Sequence, residues 1–242
     1  MARVTISRQL GRFSGDRRVI LLLILGGLLL AARSWLAAHP GYNPWTPLDL
    51  RDAPGWATSM KLSALRTDVD ECRAVLRRSD VDFTALEPLG EGACLHVDRT
   101  RLEGFPFSPA PPPTTCTVAV ALEIWRTATL QPAARDLLGA EIVSVEHLGS
   151  YSCRRLYGRD TGPYSEHAVG NAIDIAAFRL ADGTRVSVLD DWDDDGAKGA
   201  FLREARQGAC QVFATVLSPD YNAAHADHFH FDQAGGRWGV CR

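Results

Sequence analysis

The chain has 242 residues, of which 46% are hydrophobic and 23% are charged, and its formal net charge is -3. This length and composition suit one ordinary domain with appendages and exclude collagen-like and low-complexity structure. The small net charge gives no electrostatic reason to expect a nucleic-acid partner. Local motifs therefore carry the information about function.

The N-terminus combines a basic segment with an apolar one. Residues 1–18 carry five arginines, namely Arg3, Arg8, Arg12, Arg17 and Arg18. An uninterrupted apolar run extends from Val19 to Ala32, and residues 19–38 are predicted to form a signal anchor or a signal peptide cleaved after Ala37 or Ala38. Because the positive charges precede the apolar run, residues 1–18 are expected in the cytoplasm and the rest of the chain across the membrane.

Six cysteines follow the apolar run, at positions 72, 94, 116, 153, 210 and 241. An even number of cysteines on the exported side predicts three disulfides and disfavours a free catalytic thiol. The sequence lacks a C-x-x-C pair, which disfavours a zinc ribbon or a thioredoxin motif. Connectivity stays open, but short loops favour Cys72 with Cys94 and Cys210 with Cys241, leaving Cys116 with Cys153.

Two segments connect the apolar run to the main domain. Residues 39–60 are rich in Pro, Gly and Trp and are predicted to be a tether. Residues 61–113 are predicted to form a small disulfide-linked subdomain that starts with an amphipathic helix from about Lys61. The apolar face of this helix comprises Leu62, Leu65, Val69, Cys72, Val75 and Leu76. The prolines between Phe105 and Pro113 place its boundary, because they propagate neither helix nor central strand.

Residues 114–242 are predicted to form the main domain. Thr114 or Thr115 can cap its first helix, and a second helix is expected to start near Pro132 and end at Gly139. The pattern predicts strands at 142–145, 185–189 and 228–232, a helix at 199–206, and an extended or helical segment at 211–217. Helices and short strands alternate without a regular period, which predicts an α+β fold with a small antiparallel sheet flanked by helices.

One stretch of this domain combines two metal-ligand residue types. His167 and Asp174 lie seven residues apart, with Gly170 and Asn171 between them. Imidazole and carboxylate are ligands that zinc prefers, and the Gly-Asn pair suits a tight turn that would bring the two side chains together. In a strand, Asp174 would face away from its neighbours Ile173 and Ile175, which would enter the core.

A histidine cluster lies near the C-terminus. His225, His228 and His230 fall within six residues, and Phe229 and Phe231 alternate with the last two histidines. In a strand, His228 and His230 share one face and the two phenylalanines face the core. Three adjacent imidazoles would repel one another when protonated. The cluster therefore favours metal or acid-base chemistry over a packing role.

An acidic segment, Asp191 to Gly196, begins like a calcium loop, with acids at positions one, three and five and glycine at six. Position twelve is Leu202, where a bidentate glutamate belongs. A solvated acidic loop is therefore favoured over a calcium site.

The two histidine-containing stretches resemble the zinc motifs of the LAS metallopeptidases, which include D-alanyl-D-alanine carboxypeptidases, lysostaphin-type enzymes and the murein endopeptidase. The first motif of that group, Ser-x-His-x-x-Gly-x-Ala-x-Asp, is matched by Ser165, His167, Gly170, Ala172 and Asp174. The closing His-x-His is matched by His228 and His230. The run from about Cys72 to Cys241 also resembles extensin-like C-terminal domain proteins. That resemblance is carried by residues 150–154, 165–167, 220–222 and 227–230.

The LAS resemblance implies a role for each residue. It makes His167, Asp174 and His230 ligands of a Zn²⁺ ion, and it makes His228 the catalytic histidine with His225 in support. Carboxypeptidases of this group place a Glu or a His three residues before the last ligand, and either Asp227 before His230 or His225 before His228 could fill that position. Whether His228 or His230 is the third ligand therefore stays open, and the His-x-His match favours His230.

The resemblance also suggests a role for Arg154, which would hold substrate or transition-state charge. A plain surface arginine is the alternative. Ser165 is expected to hydrogen-bond within the site and not to act as a nucleophile.

Together these features predict an exported zinc-dependent peptidase that acts on peptidoglycan peptides as a carboxypeptidase or an endopeptidase. The expected location is the periplasmic side of the bacterial inner membrane, either anchored through the N-terminal helix or secreted. A catalytically silent wall-binding or structural module with the same fold is the main alternative. A zinc amidase or peptidase with another substrate is also compatible with the motifs.

Overall fold

The structure is a computed structural model, and it describes residues 14–235 and 239–242. It begins with helix α1, Ser14–Ala38, which continues past the predicted apolar run. Within Gly15–Ala38, an 18-residue window has a mean hydropathy of 2.2 and no buried residues. By length and composition this helix could cross a membrane, as an anchor or as a signal sequence. Three of the five N-terminal arginines, Arg3, Arg8 and Arg12, lie outside the described residues.

The segment after α1 folds against the domain. A single 3₁₀ turn, Pro40–Tyr42, precedes helix α2, Trp56–Leu65, which starts inside the predicted tether. Helix α3, Val69–Arg78, follows after a break. The prediction of one continuous helix from about Lys61 is therefore wrong. The Asp68 carboxylate accepts a hydrogen bond from the Glu71 amide at 2.9 Å and so starts a new helix there.

A two-stranded antiparallel sheet comes next, made of β1, Phe83–Leu86, and β2, Arg99–Leu102. Helix α4, Cys116–Trp125, is capped by Thr115, which confirms one of the two predicted caps. All ten residues of α4 are buried, so it has no solvent-facing side. A π-helical turn, Arg126–Leu130, leads into α5, Gln131–Leu138, which ends at Gly139 in the left-handed conformation as predicted.

The main sheet has seven strands in the order β3-β4-β5-β8-β7-β9, with β6 paired to β5. The strands are β3 Phe107–Ser108, β4 Ile142–Gly149, β5 Ala172–Leu180, β6 Arg185–Ser187, β7 Thr215–Leu217, β8 Phe229–Asp232 and β9 Val240–Cys241. The predicted strand at 185–189 is shorter because Ser187 caps helix α6, Val188–Asp191. Helix α7, Ala197–Val212, extends the predicted helix at both ends.

The sheet is mixed, so the prediction of an antiparallel sheet is wrong. Strands β3 and β4 pair in parallel, and so do β7 and β9. The first pair is parallel because α4 and α5 form a crossover between its strands, and such a connection returns the chain in its original direction. The α+β class itself is confirmed.

Helices α4 and α7 cover one face of the sheet. Trp125 packs edge-on against Phe231, with ring centroids 5.2 Å apart, and its indole donates to the Ala205 carbonyl at 2.8 Å. On the same face, Phe178 packs against Phe201. Ile173, Ile175 and Phe229 are also fully buried, as the strand alternation predicts. The side chains between them, including Asp174 and His230, face the opposite side.

Three disulfides join Cys72 to Cys116, Cys94 to Cys153 and Cys210 to Cys241. The number and the last pair agree with the prediction, but the other two predicted pairs are wrong. Packing of α3 against α4 brings Cys72 to Cys116, and the Tyr151 hydroxyl donates to the Cys94 carbonyl beside the second bond. The first two bonds link residues on both sides of the boundary predicted near residue 113, and that boundary stays a prediction.

Candidate metal centre

Strand pairing brings two of the predicted ligands together. Asp174 on β5 lies directly opposite His230 on the antiparallel strand β8. His167 comes from a 3₁₀ turn, Glu166–Val169, which precedes β5 and is capped by the Ser165 hydroxyl. Gly170 ends this turn at a φ of 67°, a conformation that glycine adopts without strain. The turn folds His167 back over the start of β5.

The three side chains converge on one point. His167 Nε2 lies 3.2 Å from Asp174 Oδ1 and 3.1 Å from His230 Nδ1, and the last two atoms are 2.9 Å apart. Among the described residues, these three form a group that could hold a metal ion. His167 is 4% exposed, so the group lies at the bottom of a cleft.

The outer nitrogens of the two imidazoles fix where their protons lie. His167 Nδ1 is 3.2 Å from the Ser150 carbonyl oxygen, and His230 Nε2 is 3.0 Å from Asp232 Oδ2. Both partners are acceptors, so both outer nitrogens must donate. In the neutral rings, His167 Nε2 and His230 Nδ1 then carry lone pairs. Two nitrogen lone pairs and a carboxylate oxygen consequently face one another with no donor between them, which calls for a cation.

These atoms fit a zinc ion. Zinc bonds to nitrogen and oxygen of about 2.0–2.2 Å place ligand atoms of a tetrahedral site roughly 3.3–3.6 Å apart. The observed separations of 2.9–3.2 Å are a few tenths of an ångström shorter. Three protein ligands leave a fourth position open, as in catalytic zinc sites. Outer hydrogen bonds from ligating histidines to a carbonyl and a carboxylate are the usual support for such ligands.

Without a metal, a proton takes the place of the cation. Burial opposes protonation of His230, but its hydrogen bonds to Asp174 and Asp232 outweigh that effect and raise its pKa to about 9. Burial likewise opposes ionisation of Asp174, yet the neighbouring His167 and His230 imidazoles hold the pKa of this carboxyl far below its usual range. The surroundings of this group therefore stabilise a positive charge between the three side chains.

The other two histidines of the cluster lie beside this group. His228 Nδ1 is 2.7 Å from Asp227 Oδ1, and its Nε2 is 3.6 Å from Asp174 Oδ1. Asp227 itself points outward, with 58% of its side chain exposed, so it orients His228 and lies apart from the ligand group. His225 Nδ1 lies 2.8 Å from Asn222 Oδ1. Burial, together with the charges of His228 and His230, lowers the pKa of His225 to about 4.

The cleft above the group has a volume of about 410 Å³. Arg154 lines it, and this residue is exposed. Tyr157 and Tyr221 also line the cleft, and interaction with the Tyr157 side chain raises the pKa of Tyr221. Tyr157 adopts a φ of 56°, a strained conformation for a residue with a side chain. Neither tyrosine is predicted from the sequence to be part of the site.

The residues that support the ligands are not among those predicted from the sequence. Asp232 is two positions after His230 on one strand, so a His-x-Asp alternation could have identified it. No comparable sequence pattern identifies the Ser150 carbonyl. A further network holds the His167 turn, because the Thr115 hydroxyl donates to Asn171 Oδ1 at 2.9 Å and Asn171 Nδ2 donates to Glu166 Oε2 at 2.6 Å.

The acidic segment does not join this centre. Asp191 accepts hydrogen bonds from the Ser187 amide at 2.7 Å and from the Lys198 ammonium at 3.1 Å, and Asp194 accepts from the Gly199 amide at 3.4 Å. Two of its carboxylates therefore accept hydrogen bonds from backbone amides at the starts of α6 and α7.

The fold and the site together define an α+β domain with a part-buried His-Asp-His group at the base of a cleft. Residues 70–242 match the family described as the extensin-like protein C-terminus. The chain belongs to that family, as its sequence motifs indicate. No curated protein and no solved structure gives a significant match. The relation to the LAS metallopeptidases stays a prediction.

Proposed function

We propose that the protein is an exported zinc-dependent peptidase that cleaves peptide bonds in peptidoglycan. The observation that carries this proposal is the convergence of three acceptor atoms, from His167, Asp174 and His230, at the base of a cleft. Such a group needs a cation, and its donor set is the one that catalytic zinc sites use. When bound there, zinc supplies Lewis acidity that activates water and polarises a carbonyl.

In this proposal His228 moves the proton. Asp227 accepts the Nδ1 hydrogen of His228, which leaves a lone pair on Nε2, the atom nearest the ligand group. Nε2 takes a proton from the attacking water and returns it to the amine that leaves when the peptide bond breaks. His225 is held by Asn222 beside His228 and keeps it in place, with ring centroids 5.2 Å apart.

Arg154 has the chemistry to hold a carboxylate at the rim of the same cleft. Its guanidinium can bind a carboxylate with two hydrogen bonds. Peptidoglycan stem peptides end in a carboxylate, and the apolar N-terminal helix and the disulfides support export to a compartment where such peptides occur. The proposed location is therefore the periplasmic side of the bacterial inner membrane.

Metal analysis and digestion of purified sacculi test this proposal. The full chain is expected to bind about one zinc, which His167→Ala and Asp174→Ala lose and His228→Gln keeps. Mass analysis of sacculi after incubation should reveal products with newly released amines or amino acids. His228→Gln and Arg154→Ala should lower their yield, whereas Arg77→Ala, at an exposed arginine on α3, should not.

Two results would contradict the proposal in different ways. A wild-type protein that binds no zinc would remove its basis. Bound zinc without any cleavage of sacculi would favour the second candidate, a silent wall-binding module. The three ligands would then contribute to stability alone, and loss of zinc would lower the melting temperature without changing sacculus binding.

A further inference from the structure

The chain between α1 and the domain is attached firmly to the end of α1. The Asn43 amide donates to the Leu36 carbonyl at 3.3 Å, and His39 Nδ1 donates to the Trp35 carbonyl at 2.7 Å. The Trp35 and His39 rings are stacked 4.4 Å apart, and the Tyr42 ring lies 5.4 Å from Trp35. These contacts fix the direction in which the chain leaves the helix.

The same segment is bound equally firmly to the domain. Gly41 is buried, and a Cβ atom there would lie 2.2 Å from the Ala53 carbonyl oxygen, so only glycine permits this approach. The Lys61 ammonium on α2 donates to the Pro40 carbonyl at 2.9 Å and to the Thr46 hydroxyl at 3.1 Å. The segment predicted to be a tether is therefore folded against the domain and held to it by hydrogen bonds.

The segment after α1 and helix α2 expose large apolar side chains close to the end of α1. Trp45 is 81% exposed, Trp56 is 61% exposed and Met60 is 46% exposed. Trp56 and Met60 are four residues apart on α2 and share one face. The Trp45 amide donates to the Asn43 side chain that also contacts Leu36, and the Gly55 backbone touches Gly41. Together with Trp35 and Tyr42 they form what we call the aromatic collar.

We propose that the aromatic collar lies in the headgroup layer of the same membrane that α1 crosses, so that the domain is seated on the lipid surface in one orientation. Tryptophan and tyrosine favour the membrane-water interface because one part of the ring is apolar and the other is polar. The occupant is a phospholipid surface, because the collar is continuous with a helix long and apolar enough to span a bilayer. This inference does not depend on the metal centre.

Site-directed labelling of the full chain tests the inference. All six cysteines are in disulfides, so one added cysteine is the single reactive thiol. A fluorescent NBD label is placed on Met60→Cys in the collar and, as a matched control, on Leu189→Cys, which is 61% exposed on α6. Each protein is reconstituted in vesicles of phosphatidylethanolamine and phosphatidylglycerol and titrated with iodide. Quenching at position 60 should be several-fold weaker than at position 189.

A second variant connects the shielding to the collar itself. Trp45→Ser combined with Trp56→Ser should restore iodide quenching at position 60 while the chain stays in the vesicles. Equal quenching at positions 60 and 189 in the otherwise unchanged protein would overturn the inference, whatever the double variant does. So would a purified chain whose mass shows that α1 has been removed, or a double variant that folds and leaves the label shielded.

Discussion

Asp174 and Asp232 hold His230 from both sides, with Oδ1 of Asp174 2.9 Å from Nδ1 and Oδ2 of Asp232 3.0 Å from Nε2. The first carboxylate belongs to the proposed ligand set, and the second orients the ring. Asp232 is 5% exposed, so water cannot easily replace it. Removing its charge should therefore weaken metal binding without removing a ligand.

We expect Asp232→Asn to reduce zinc affinity by about 10–100-fold, the usual effect of changing an outer partner of a metal-binding histidine. Competition with a chromogenic chelator measures the affinity. Asp182→Asn is a matched control, since Asp182 lies in an exposed turn and accepts from the Thr184 amide. An unchanged affinity in Asp232→Asn would mean that the His230 ring keeps its orientation without this carboxylate.

Gly170 offers a second test, because two features of its position disfavour a side chain there. Its φ is +67°, and a Cβ atom would lie 2.1 Å from the His96 ring. Gly158 has the same φ of +67° with nothing within 4 Å of a Cβ atom, so Gly158→Ala measures the backbone strain alone. That strain should cost about 1 kcal/mol in the free energy of unfolding.

Gly170→Ala should cost roughly 1–3 kcal/mol more than Gly158→Ala, because the His96 ring has to move. Chemical denaturation of both variants gives the comparison. Combining Gly170→Ala with His96→Ala should recover part of the extra loss. Equal losses in the two single variants would show that the contact with His96 is easily relieved.

Part of this site could be predicted from the sequence because it depends on local rules. The alternation of Ile173, Asp174 and Ile175 predicts which face the carboxylate occupies, and the spacing from His167 through Gly170 predicts a turn. Pairing of β5 with β8 then completes the group, but the register of that pairing depends on packing rather than on local sequence.

Other features depend on contacts between distant parts of the chain. The Cys72–Cys116 bond follows from the packing of α3 on α4, and loop length alone gave the wrong partner. The group of Ser150 that accepts a hydrogen bond from His167 is its backbone carbonyl. Every residue has such a carbonyl, so the residue type at position 150 does not predict this contact. The parallel β3–β4 pair follows from a crossover that periodicity does not detect.

The Cys94–Cys153 disulfide should affect the metal site as well as stability. It lies near the loop whose Ser150 carbonyl accepts from His167, and Tyr151 of that loop donates to the Cys94 carbonyl. Replacing both cysteines with serine should lower the free energy of unfolding by about 2–4 kcal/mol. Zinc affinity should fall too, because the loop loses its fixed position.

The Cys72–Cys116 pair is the matched control, since its sequence separation of 44 is close to the 59 of the other pair. Its removal should cost a similar amount of stability. Zinc affinity should stay near that of the unchanged protein, because this bond joins two helices. Similar affinity losses in both double variants would point to a general loosening of the domain.

Finally, His96 predicts how stability depends on pH. Its side chain is 1% exposed, it donates from Nε2 to the Asp98 carbonyl at 2.8 Å, and burial lowers its pKa. The unfolded chain therefore takes up a proton below about pH 6.5 that the folded protein does not. His96 should thus reduce stability as the pH falls from about 6.5 towards the folded pKa, by at most about 1.4 kcal/mol per pH unit. Among its charged neighbours, Asp98 raises the pKa of His96 and Arg99 lowers it.

His96→Gln keeps a donor without this titration, so its free energy of unfolding should approach that of the unchanged protein as the pH is lowered from 7.5 to 5.5. Denaturation across that range measures the difference, and the Gly158→Ala variant should show a difference independent of pH. A constant difference for His96→Gln would mean that His96 takes up its proton equally in both states.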